Sequence, residues 1–170
     1  FGGRCQLTTE RAMAKLSIAG AGIMGRPGVA AKLFDGLSRQ GISLRMIATS
    51  EVKVSCVISG EQGAKALRTA AQVFELDDHQ LSHNPEPQSS EEPEVRGVAL
   101  DQDQAQLTVT NIPDQPGSAA ALCRALAESG LSLDTIVQSE RERNTRHGPC
   151  RDIAFTLPKE DRDKAHTALK

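Results

Sequence analysis

Three glycines in Gly20-Ala21-Gly22-Ile23-Met24-Gly25 follow an apolar run and precede a helix signal. In this G-x-G-x-x-G spacing a backbone without Cβ atoms can lie against a pyrophosphate. The surroundings argue against that use. A dinucleotide unit starts its helix near the second glycine so that the helix N-terminus meets the phosphates, but Pro27 pushes the start past the third. The acidic residue expected about 20 positions further on to hold a ribose is missing, because Glu51 comes too late. A nucleotide-binding enzyme is therefore the remote alternative, and the glycines read as shaping a turn whose backbone something can approach. The four histidines and the scattered acids assemble no Ser/His/Asp, Cys/His or paired-carboxylate set, so the stretch reads as non-catalytic. Cys5, Cys56, Cys123 and Cys150 lack metal-ligand spacing and read as buried free thiols. His79 and His83 have a helix-face spacing but no further ligands nearby, so no metal site is expected.

The chemistry these residues do suit is the holding of a small zwitterion. Gln115-Pro116-Gly117-Ser118-Ala119 leads into a helix, and the unpaired N–H groups of a helix N-terminus favour a carboxylate. Asp114, just before that turn, is placed to accept an ammonium group, and Gln138 in the neighbouring strand can donate and accept. An α-amino acid carries both charges. The plain alternative for Asp114 is a turn or cap residue.

The elements that must position these residues occur twice. Residues 27–51 align without a gap on 116–140, sharing twelve identities in twenty-five positions, among them Pro-Gly, Ala-Ala, the post-helix glycine and a final Ser-Glu. In the first copy, residues 14–18 alternate as a half-buried strand, and Val29, Leu33, Phe34 and Leu37 form one face of a helix closed by Gly41. Residues 43–50 and 53–59 follow as strands and 61–76 as a second helix. One more strand would complete a ferredoxin-like βαββαβ sandwich. The second copy predicts strands at 95–100, 105–110, 131–140 and 152–157, helices at 117–129 and 159–170, and an exposed charged hairpin over 141–151. Its fourth strand is absent, so this module either borrows a strand, such as 95–100, or leaves an edge open. The fold class is thus α+β, with two tandem ferredoxin-like modules at 14–81 and 95–170, the second incomplete at its C-terminus. Residues 1–13 read as the end of a preceding segment, and the acidic, proline-rich stretch 82–94 as a disordered linker. The chain starts at Phe1 and stops inside a helix signal, and so reads as a piece of something longer.

Composition narrows the function classes. A net charge of -2 with scattered basic residues gives no nucleic-acid footprint, and 2% aromatics with no Trp or Tyr gives no stacking platform. With no signal peptide and no apolar run long enough to span a bilayer, a cytoplasmic, reducing location is expected. Modules of about 70 residues sit near the lower limit for a self-sufficient core, so pairing of modules or a homodimer is expected.

Both modules resemble ACT domains, and more specifically the regulatory region of bacterial aspartate kinases. The first is similar to that family's second ACT unit through residues 14–23, Arg26-Pro27-Gly28-Val29-Ala30-Ala31 and residues 47–55. The second is similar to its first unit through Val98-Ala99-Leu100-Asp101, Ile112-Pro113-Asp114-Gln115-Pro116-Gly117 and Asp134-Thr135-Ile136-Val137-Gln138. The resemblance implies a unit that binds an end-product amino acid, lysine or threonine, and mediates feedback inhibition of aspartate phosphorylation. It implies a kinase domain in the same chain, using ATP and magnesium, and a homodimer formed through the ACT modules. A free-standing two-ACT regulatory subunit, as in acetolactate synthase, is the alternative. By position, Asp114, Gly117, Ser118, Ala119 and Gln138 would line one wall of the ligand site. Ile23, Met24, Arg26, Val29, Ser43, Leu44, Ser50 and Glu51 of a Gly-rich unit would line the facing wall. Gly25 and Thr49 stand where Asp114 and Gln138 stand, so the first copy lacks the ammonium acceptor. Because the Asp-bearing unit comes second here, the two modules are expected to serve different effector sites, each completed by other chain or by a partner subunit.

Overall fold

The computed structural model describes residues 9–10, 12–21, 23, 26–50, 52–82, 100–138, 143–146 and 148–170. The first repeat runs β1 (Met13–Ala19), α1 (Val29–Arg39), β2 (Met46–Ser50), β3 (Lys53–Ser59) and α2 (Gly63–Phe74). The second runs β4 (Gln104–Pro113), α3 (Ser118–Glu128), β5 (Thr135–Gln138), β6 (Arg143–Thr145), β7 (Gly148–Pro158) and α4 (Arg162–Ala168). Single 3-10 turns lead into α2 and α4.

Alternation builds the sheet. In β1 and β3, Leu16 lies opposite Cys56 and Ile18 opposite Val54, while Lys15 and Ser17 face outward. In the second repeat Ile136 pairs with Phe155, and Phe155 with Leu107. The helices lay their apolar stripes on this face: Leu33, Phe34 and Leu37 of α1 and Leu126 of α3 are each 2% exposed or less. Such side chains contribute about 1.5–3 kcal/mol each when removed from water.

Both helices start and stop in the same way. Gly28 and Gly117 precede α1 and α3 with φ of 94° and 98°, a left-handed turn that a Cβ disfavours. After the helices, Ile42 N donates to Leu37 O at 3.0 Å and Leu131 N to Leu126 O at 3.0 Å, closing each C-terminus around a left-handed glycine, Gly41 or Gly130.

The repeats join into one sheet of order β1-β3-β2-β5-β7-β4, with β6 added beside β7. At the seam β2 and β5 run antiparallel through Ala48 and Val137, which are equivalent positions in the two copies. An axis relating the repeats therefore passes through that pair. Above the seam α1 lies beside α3, and Asp35 forms an ion pair with Arg124. The two Pro-Gly turns are equivalent here too, each resting on the other repeat's helix. A Cβ on Gly28 would lie 3.7 Å from Ala127 Cβ, and one on Gly117 only 2.8 Å from Ser38 Oγ.

Pairing of the modules, one of the two arrangements expected from their size, joins the repeats, because each presents its second strand and first helix as a matching edge. Several expected bounds differ. The strands β2 and β5 begin later than residues 43 and 131, since the chain leaves each helix through a loop that pairs only from Met46 and Thr135 onward. In the opposite sense, β7 starts at Gly148 rather than 152, and β4 runs on to Pro113. Arg151, assigned to an exposed hairpin, is 6% exposed, and Cys150, which falls in the same hairpin but reads as a buried thiol, is 5% exposed. Among the described residues each module shows two helices and no strand after the second of them, and the second module gains β6 within its hairpin; residues 83–99, with the linker and most of the strand expected at 95–100, lie outside them.

Candidate functional site

The seam creates two related pockets. In each, the Pro-Gly turn of one repeat faces the loop that follows the helix of the other. The pocket on the second repeat's turn holds Asp114, Gly117, Ser118, Ala119 and Gln138, with Phe34, Ile42 and Leu44 from the first repeat opposite. The other pocket holds Ile23, Arg26, Gly28, Val29 and Thr49, with Leu131, Ser132 and Leu133 opposite.

Asp114, Gly117, Ser118, Ala119, Gln138 and Leu44 do come together, whereas Ile23, Arg26 and Val29 lie in the other pocket. Ser43 and Ser50 line neither, Ser50 being exposed at the end of β2, although Ser132, the counterpart of Ser43, lines the first repeat's pocket. Met24 and Glu51, like Gly22, Gly25, Cys5 and His83, lie outside the described residues.

The second repeat's pocket is polar at its floor. Gln138, 6% exposed, donates from Nε2 to the carbonyl of Leu44 at 3.0 Å and so ties the two repeats together. Its Oε1 is buried with no partner among the described residues. A buried acceptor left unmade costs about 1–3 kcal/mol, which a ligand donor would recover. Asp114 is held by the extension of the sheet: its N–H donates to Pro149 O at 2.9 Å, and its Oδ2 lies 2.8 Å from Arg151 Nε. Both side chains of this ion pair are largely buried, at 6% exposure for Arg151 and 11% for Asp114. Arg151 also reaches across the seam, donating from Nη1 to Arg45 O at 3.4 Å. Sequence reasoning missed it, yet counting back by twos from the core residues Phe155 and Ile153 places it on the same inner face.

The bulge that makes this possible lies in β4. The register to β7 shifts between Val109 and Ile112, where Asn111 has φ of 59° and its N–H donates to Asp152 Oδ1 at 3.1 Å. Pairing then resumes with Ile112 opposite Arg151, which turns Asp114 over the pocket.

The first repeat's pocket is lined differently. Thr49 stands in place of Gln138 and uses its hydroxyl to accept from Ile136 N at 2.8 Å, so it is already engaged. Cys123 lines the wall, and burial pushes its thiol up to about 12, leaving it neutral and apolar. The cavities measure about 40 Å³ here and about 20 Å³ in the second repeat. These volumes take a few water molecules at most, so a larger guest requires the seam to open. Cys56 is likewise buried with its thiol raised to about 12, and Cys56, Cys123 and Cys150 are free. Among the described residues no group of three His, Cys, Asp or Glu side chains converges on a metal position, and no helix is long and apolar enough to cross a membrane.

Turn, bulged first strand and seam-spanning pockets define a paired ACT arrangement, and the ACT domain family matches residues 16–74 and again 106–170. The chain belongs to the ACT-domain family, with two tandem units. Its kinship within that family is to the regulatory region of aspartokinases. It is 46% identical over 70 residues to the aspartokinase of Bacillus sp. strain MGA3, covering 41% of this chain and 17% of that protein. It is 42% identical over 74 residues to aspartokinase 2 of Bacillus subtilis strain 168, covering 44% and 18%. The crystal structure of aspartate kinase from Synechocystis superposes with a TM-score of 0.86 at 47% identity, over 95% of this chain and 27% of that one. The chain thus spans under a third of each of these relatives.

Proposed function

We propose that this pair of ACT domains is an effector-binding unit of an aspartokinase, taking an end-product α-amino acid, lysine or threonine, at the seam and mediating feedback inhibition of aspartate phosphorylation. The observation that carries this reading is the buried Gln138 Oε1, without a partner among the described residues, beside Asp114 and the N-terminus of α3. Acceptors for an ammonium group and donors for a carboxylate then line one cavity built by both repeats. A guest that draws on both repeats has a different affinity for a closed and an opened seam. That difference is what a ligand needs in order to shift a subunit equilibrium.

The aspartokinase kinship supports extending the proposal to the rest of such a protein. It would have a kinase portion using ATP and magnesium, subunits associating through their ACT units, and a cytoplasmic location.

Calorimetric titration of the chain with lysine and with threonine tests the reading. One of them should bind, and Asp114→Ala should weaken binding by about 1–3 kcal/mol, the loss expected when a charged donor is left unpaired. Binding of neither by the folded chain, or equal affinity in the variant, would refute it.

A further inference from the structure

Arg151 is an unexpected occupant of an ammonium-binding pocket. A cation-binding carboxylate buried beside a fixed guanidinium already has its charge balanced. The ion pair at 2.8 Å engages Oδ2 of Asp114, and the buried side-chain acceptor beside it without a partner among the described residues is Gln138 Oε1. Side by side, a carboxylate and a guanidinium complement the ammonium and carboxylate of one α-amino acid. Among the described residues that line the pocket, a further positive charge on the guest's side chain would find no carboxylate besides Asp114, and it would face Arg151 across a few ångströms of weakly screening interior. The opposite wall, Phe34, Ile42 and Leu44, adds no charged side chain.

We infer that Arg151 is a specificity-determining residue of the second repeat's pocket, selecting an α-amino acid with an uncharged side chain over one with a cationic side chain. This rests on the amino-acid-binding reading above and narrows it. The first repeat's pocket has no counterpart: in the strand register Arg151 corresponds to Val52, an exposed turn residue between β2 and β3. The selection therefore belongs to one pocket of the two.

The test titrates the whole chain with L-threonine and with L-lysine while following the side-chain amide resonances of Gln138 by nuclear magnetic resonance, which report on this pocket alone. In the unaltered chain threonine should be preferred by on the order of tenfold or more, the size of effect a nearby unpaired charge produces. In Arg151→Gln the ratio should fall at least tenfold, through a gain for lysine. Because that variant leaves Asp114 buried and unpaired, the neutral pair Asp114→Asn with Arg151→Gln serves as a second background, in which the ratio should fall likewise. A preference for lysine in the unaltered chain, or an unchanged ratio in either folded variant, overturns the inference while leaving amino-acid binding in place. Failure of both amino acids to move the Gln138 resonances overturns the inference together with the function on which it rests.

Discussion

The two pockets are built from the same parts and hold different chemistry. Each sets a Pro-Gly turn and helix N-terminus against the other repeat's post-helix loop. Yet one floor carries an Asp–Arg ion pair and a glutamine with an open acceptor, and the other a threonine already hydrogen-bonded and a neutral thiol. The backbone frame is thus separable from the groups it presents. The helix caps and much of the core stripe come from residues the repeats share, whereas the charge on the pocket floors comes from positions where they differ.

The largest expected difference lies at the matched places Arg151 and Val52. Arg151→Ala should lower unfolding stability by about 3–5 kcal/mol, because it leaves the buried Asp114 charge without its partner. Val52→Ala, on an exposed turn, should change it by under about 0.5 kcal/mol. Urea denaturation of the two variants measures both, and equal losses would break the contrast. A smaller effect separates the glycines that start α1 and α3. Alanine at either position must adopt a left-handed backbone, costing roughly 1–2 kcal/mol. Gly117→Ala also drives a Cβ to 2.8 Å from Ser38 Oγ, whereas Gly28→Ala meets Ala127 at an ordinary 3.7 Å. Gly117→Ala should therefore have the lower melting temperature of the two; the reverse order would show that the turns are not packed alike. The smallest effect belongs to the helix pair above the seam. Asp35→Asn removes its ion pairs with Arg124 and Arg39, which are half-exposed and exposed, and should cost at most about 1 kcal/mol, fading at high salt. A larger, salt-independent loss would make this contact a determinant of the pairing.

Much of the frame was legible because it was written twice. The twelve shared positions include the glycines and helix-stripe leucines that the structure uses for caps and core, so β3 and the starts of both helices fall where the periodicities put them. The site was legible in part. Asp114 and Gln138 were visible as odd charges and amides beside a helix start, but Arg151 was hidden by Gly148 and Pro149, which imitate a loop. In the folded chain those two residues form the start of β7 beside β6, where Gly148 takes a φ of 105° and Pro149 still offers its carbonyl to Asp114. Which residues face one another could not be read from either repeat, because that depends on the modules meeting edge to edge. Sequence spacing says nothing about a contact between equivalent strands.

The pairing of Ala48 with Val137 has an evolutionary reading as well as a geometric one. Were the seam formed by two identical chains, every substitution would appear on both sides of the axis at once. An aspartate gained in one pocket would be gained in both, and so would its arginine. Joining the copies in one polypeptide frees each side to drift alone. In this chain the copies differ at the floor of one pocket, with Asp114 against Gly25 and Gln138 against Thr49, while their second strands still pair at matched positions.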